Sequence, residues 1–142
     1  MDDGPDIARF VRARLDEAGA VATAAGGTWS ADIEGSLLDG GTYLATGPYG
    51  CGISEEILAH VLLHDPARVL RDIEAKRRIV EDCEKAISKQ AEFSPASAIA
   101  PHGAPYPAPH ANLAYRTLRS LAAEHDGHPD YLPKWKPKAS LH

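Results

Sequence analysis

The chain has 142 residues, a net charge of −5 and interspersed acidic and basic side chains. A length of this order predicts one domain, and the absence of a basic field argues against a nucleic-acid partner. No apolar run approaches the 18 or so residues that cross a bilayer, and no apolar stretch follows a basic N-terminus, so the expectation is a cytoplasmic protein that does not engage a membrane.

Large core-forming residues are scarce. The sequence holds 13 Leu, 8 Ile, 5 Val and 2 Phe, about 20% of the chain. That share lies near the lower edge for a globular protein. A thin core follows, and with it the expectation that a partner chain completes it. Cys51 and Cys83 belong to no C-x-x-C unit, so neither a disulfide framework nor a structural zinc site is expected from them.

Residues 6 to 25 form the first expected helix. Asp6 is placed as its cap, and Ile7, Phe10, Val11, Leu15, Ala18, Val21 and Ala22 recur at three and four to make one apolar face. Gly26-Gly27 ends it. Over residues 28 to 46 the period changes. Leu37-Leu38 and Tyr43 with Ala45 flank Asp39-Gly40-Gly41, which predicts a β-hairpin packed on the helices. The run GPYGCG, residues 47 to 52, lacks the spacing and the lysine of a phosphate-binding loop and reads as a plain turn.

Ser54 opens a second helix, with Glu55 and Glu56 where the dipole favours acids. Pro66 disfavours helical geometry at Asp65, so this helix ends near His64. Asp65 and Pro66 then supply the cap and the first position of a third helix reaching about Gln90. Its seam is Val69, Ile73, Lys76, Val80, Cys83 and Ile87, with the alternating three and four spacing of a coiled coil. Some 25 helical residues span roughly 37 Å, about the whole diameter of a domain this size. Val80, Cys83 and Ile87 therefore need cover, from another element or from another copy.

Residues 93 to 110 carry five prolines and predict an extended linker or arm. Residues 111 to 124 return to helix, and a tail follows. The organisation is thus residues 1–92, an arm over 93–110 and a C-terminal helix with tail over 111–142. The fold class expected is α+β, predominantly helical.

Few residues suggest chemistry. His60 and His64 stand one helical turn apart, a spacing used by zinc ligands, with Asp65 beside them. His125 and His128 form a second pair, and the two pairs together would make a four-ligand metal site. The sequence lacks His-Glu-x-x-His, because Val occupies position 61. Histidines near a helix C-terminus are favoured by the dipole without any metal. Cys83 on the seam fits a small buried hydrophobe better than a nucleophile. Arg68, Arg71, Lys76, Arg77 and Arg78 are interleaved with Asp72, Glu74 and Glu81 and read as a solvated, salt-bridged surface. Lys134, Trp135, Lys136 and Lys138 could offer a stacking ring beside charges to a single strand, although a Trp folded back on the protein is the plainer reading.

The block from His64 to Leu70, continuing from Glu74 to Val80, resembles the central motif of the DUF6221 family, uncharacterised proteins of actinobacteria and their phages. IARFVRARLDE, residues 7 to 17, is similar to that family's opening helix. Leu118 to Leu121, His128-Pro129-Asp130-Tyr131 and Trp135 are similar to its closing segment. The resemblance spans most of the chain outside residues 47–52 and 84–110. Family members with cysteines before the last helix would suggest a zinc knuckle. This chain has none there, so that idea does not transfer. The resemblance implies a shared fold and no activity.

The functional expectation is a non-enzymatic interaction or accessory protein, a homo-oligomer (a dimer) joined through the long helix, with no cofactor. The alternatives are a zinc-binding protein, a hydrolase in its sharpest form, using His60, His64, His125 and His128, and a phage or mobile-element protein that binds a host protein or nucleic acid.

Overall fold

A computed structural model describes residues 3–46, 53–92 and 109–139. Four helices, α1 (Gly4–Ala25), α2 (Glu55–Leu63), α3 (Pro66–Glu92) and α4 (Pro109–Ala123), accompany three short strands, β1 (Trp29–Ala31), β2 (Leu37–Asp39) and β3 (Thr42–Ala45). A 3-10 turn, Pro133–Trp135, follows α4. The class is α+β and predominantly helical, as the periodicities predict. The GPYGCG turn and nearly all of the Pro-rich arm, residues 93–108, lie outside the described residues.

The chain divides into two compact units. One comprises residues 1–15 and 76–142, the other residues 16–75, so α1 and α3 each contribute to both.

The first unit is helical. Ile7, Val11 and Leu15 of α1, Val80, Cys83 and Ile87 of α3, and Ala114, Leu118 and Ala122 of α4 are all buried. These are positions three or four apart on each helix, the arrangement that lets one helical stripe leave water. Arg12 grips Glu84 through two hydrogen bonds, Nε to Oε1 at 3.0 Å and Nη2 to Oε2 at 2.9 Å. Lys76 reaches Glu124 at 2.6 Å rather than Asp72, its neighbour one turn away. Glu81 and Lys85, four apart on one helix face, pair at 2.8 Å. The first helix begins two residues before the expected cap. Asp6 sits inside the first turn and pairs with Arg9 at 3.4 Å, while the Ile7 N–H donates to the Asp3 carbonyl at 2.9 Å. Pro5 permits this early start, because a missing N–H costs nothing in the first turn.

The second unit carries the sheet, an antiparallel meander in the order β1-β2-β3. The expected hairpin is present as β2 and β3, pairing Asp39 with Thr42 around Gly40-Gly41, with Gly40 at φ 60°. The third strand, β1, pairs Trp29 with Asp39 and Ala31 with Leu37. Trp29, Ala31 and Ile33 alternate with polar neighbours in the sequence, but the strand stops at Ala31. The Asp32 carboxylate accepts the N–H groups of Glu34 and Ser36, at 3.0 and 2.8 Å, and folds residues 32–36 into a turn closed by Gly35 at φ 76°. An aspartate that satisfies backbone donors locally competes with the ladder and here prevails.

Candidate functional site

The junction of α2 and α3, within the second unit, is where the sequence placed its histidine pair. Ser54 caps α2, its hydroxyl accepting the Ile57 N–H at 3.3 Å. At the other end the His64 N–H closes the helix on the Val61 carbonyl, 3.0 Å away. Asp65 then turns inward and is 7% exposed. Its Oδ1 accepts the Arg68 N–H at 2.8 Å and its Oδ2 the Trp29 N–H at 3.3 Å. The carboxylate thus caps α3 and ties the start of β1 to it. With both oxygens so engaged, Asp65 is not a third metal ligand.

The His60 and His64 rings lie 4.7 Å apart, tilted by 51°. Both residues are exposed. Neither imidazole has a hydrogen-bond partner among the described residues. They stand at the C-terminal end of α2, where unsatisfied carbonyls make a cation welcome.

His125 and His128, in the first unit, do different work. Their rings stand edge-on to Phe10, with centroids 6.3 and 5.7 Å away, beside Trp135 at 5.3 Å and Tyr131 at 6.1 Å. Burial holds the His125 imidazole below its ordinary pKa, opposed by Glu124 and helped by Lys76, Arg14 and His128. His128 Nδ1 accepts the Asp130 N–H at 3.1 Å and so shapes the turn after α4. Among the described residues no three His, Cys, Asp or Glu side chains are placed to hold a metal ion. His60 and His64 belong to the second unit and are exposed, whereas His125 and His128 belong to the first and are half-buried.

The seam of the long helix is occupied by the chain itself. Ile73, Val80, Cys83 and Ile87 are 4%, 0%, 7% and 7% exposed, with Val69 and Lys76 half-buried. The three- and four-residue spacing that suits a coiled coil suits helix packing within one chain equally well. Burial, then Asp82 and Glu84, pushes the Cys83 thiol above its ordinary pKa, which makes it a poor nucleophile. A cleft of ≈ 420 Å³ nearby is lined by Arg9, Arg12, Glu84, Ile87 and Ser88. Its Arg12 and Glu84 are paired at 2.9 Å. In the tail, Trp135 is 3% exposed and Lys134 is paired with Asp3 at 2.7 Å, so the Trp135 ring is not presented for stacking on a base.

The remaining feature is the surface of the second unit. Among the described residues it buries only four hydrophobic side chains, Ala22, Leu37, Leu58 and Ile73. It exposes seven large ones, including Ile33, Tyr43, Leu44, Ile57 and Leu63. The strand β3 lies at the sheet edge, and Thr42, Tyr43 and Leu44 are exposed. Successive side chains of a strand point to opposite faces. That alternation is interrupted in β3, where Leu37 pairs with Ala45 and Leu38 with Tyr43, leaving Leu44 as the extra residue of a bulge; Tyr43 and Leu44 are both exposed at the sheet edge. The sequence reading used Tyr43 only to frame a turn. The signal was available in Thr42-Tyr43-Leu44-Ala45, four uncharged residues with neither Lys nor Pro to protect an edge.

A model of a family of unknown function (DUF6221) matches residues 4–137. No curated protein and no solved structure matches the chain. No helix among the described residues is long and apolar enough to cross a membrane.

Proposed function

The chain belongs to the DUF6221 family, and from that premise and the geometry we propose a non-enzymatic accessory protein that self-associates through its second unit rather than through the seam of the long helix. The observation that carries this reading is the imbalance among the described residues of that unit, four buried hydrophobic side chains against seven large exposed ones. Exposed apolar surface favours association where it is contiguous.

The occupant best matched to β3 is a second copy of β3. An antiparallel edge pairs with itself about a twofold axis, so one strand satisfies both sides of the interface. The segment Thr42–Ala45 opposes no like charges when it does so. Joining two edges would extend the three-stranded sheet to six and bring Tyr43 and Leu44 into the joint.

Amide hydrogen exchange tests this. Protection over residues 42–45 should rise with protein concentration, while the buried amides of α4 should not respond. Exchange in β3 that is independent of concentration would contradict it.

A further inference from the structure

We propose that His60 and His64 form half of a zinc site that a second copy of the chain completes. Tetrahedral zinc takes nitrogen ligands at about 2.1 Å. Each ring centroid lies about 1.1 Å beyond its ligating nitrogen, so two histidines on one zinc have centroids roughly 5 Å apart. The observed 4.7 Å is close to this.

Three further features support the assignment. The imidazoles have no hydrogen-bond partner among the described residues, so metal binding displaces no existing bond. The negative end of the α2 dipole sits beneath them. The pair is also framed by apolar surface. At about 100° per residue, Ile57, His60 and His64 fall within a narrow arc of α2, with Leu63 at its flank. Ile57 and Leu63 are 56% and 53% exposed.

Two nitrogens leave zinc half-coordinated. Asp65 is engaged elsewhere, and no third ligand from the described residues joins the pair. A twofold axis through the metal supplies the same two histidines again, giving four nitrogens and bringing Ile57 and Leu63 towards their equivalents. With no described residue holding either ring, the site lacks, among the described residues, the outer hydrogen bonds that stiffen structural zinc centres. The association should therefore be reversible and set by free zinc.

The inference rests on the reading of the second unit as a self-association surface, but uses α2 rather than β3. The test is sedimentation of the untagged full chain in EDTA and then with zinc chloride, alongside calorimetric titration with zinc. The expected result is a rise in mass on adding zinc, reversed by EDTA, with one zinc per two chains. H60A/H64A should abolish the rise while keeping its circular dichroism and melting temperature in EDTA. Zinc without effect on mass overturns the proposal, as does one zinc per chain without association, or a response that survives in H60A/H64A. A chain that associates in EDTA but ignores zinc keeps β3 pairing and loses this site. A chain that is monomeric in EDTA and associates with zinc does the reverse.

Discussion

Asp65 accepts the backbone N–H of Trp29 at 3.3 Å while its other oxygen caps α3. One buried carboxylate therefore fixes both the start of the long helix and the start of the sheet in the second unit. Asp65→Ala removes a cap, ordinarily worth about 1 kcal/mol, and leaves a second donor without its partner, for a total of roughly 2 kcal/mol. Asp65→Asn, which keeps one accepting oxygen, should cost less. Urea denaturation of the two variants gives the comparison. Equal losses would show that the one acceptor kept by asparagine carries no weight.

The seam residues give a second prediction. Val80 is 0% exposed, so Val80→Ala should cost roughly 1–3 kcal/mol through lost burial and the cavity left behind. The variant should sediment as the wild type does at the same concentration. A change of mass with unchanged stability would mean that this seam faces another copy.

The third concerns pH. His125 is held below its ordinary value of 6.5, first by burial. The unfolded chain therefore takes up a proton before the folded one does. The contribution of neutral His125 is complete above about pH 6.5, declines as pH falls, and is gone below the folded-state value. Urea midpoints measured at about pH 7.5 and about pH 5.5 should fall with pH, and His125→Gln should flatten that fall. An identical slope in the variant would assign the effect to other groups.

Cys83 supplies the fourth. A thiol 7% exposed, with its pKa raised, should resist modification in the native state. In a Cys51→Ser background, a thiol reagent should label the chain rapidly in denaturant and slowly without it. Equal rates would show an accessible, reactive sulfur.

Much of the helical architecture is legible in the sequence because local rules decide it. Asp65-Pro66 starts a helix through capping chemistry and a fixed φ, and no distant residue needs to be known. The burial of Val80 and Ile87 is legible as a stripe, but what covers the stripe is not, since three-and-four spacing serves intrachain and interchain packing alike. The same limit applies to the histidines. Their spacing on each helix can be read, whereas the placement of His125 and His128 against Phe10 depends on residues more than 100 positions away. The alternation of Trp29 and Ala31 is legible, but the end of β1 before Ile33 is not, because it is set by the Asp32 carboxylate closing a turn on its own backbone.

The central claim is self-association through the second unit, and sedimentation velocity of the untagged chain in EDTA tests it most directly. Wild-type protein should move from monomer to dimer as concentration rises, and Leu44→Lys, which places a charge on the exposed edge, should remain monomeric with its melting temperature unchanged. A wild-type chain that stays monomeric at the highest concentration reached, or a Leu44→Lys variant that dimerises equally well, would contradict the account.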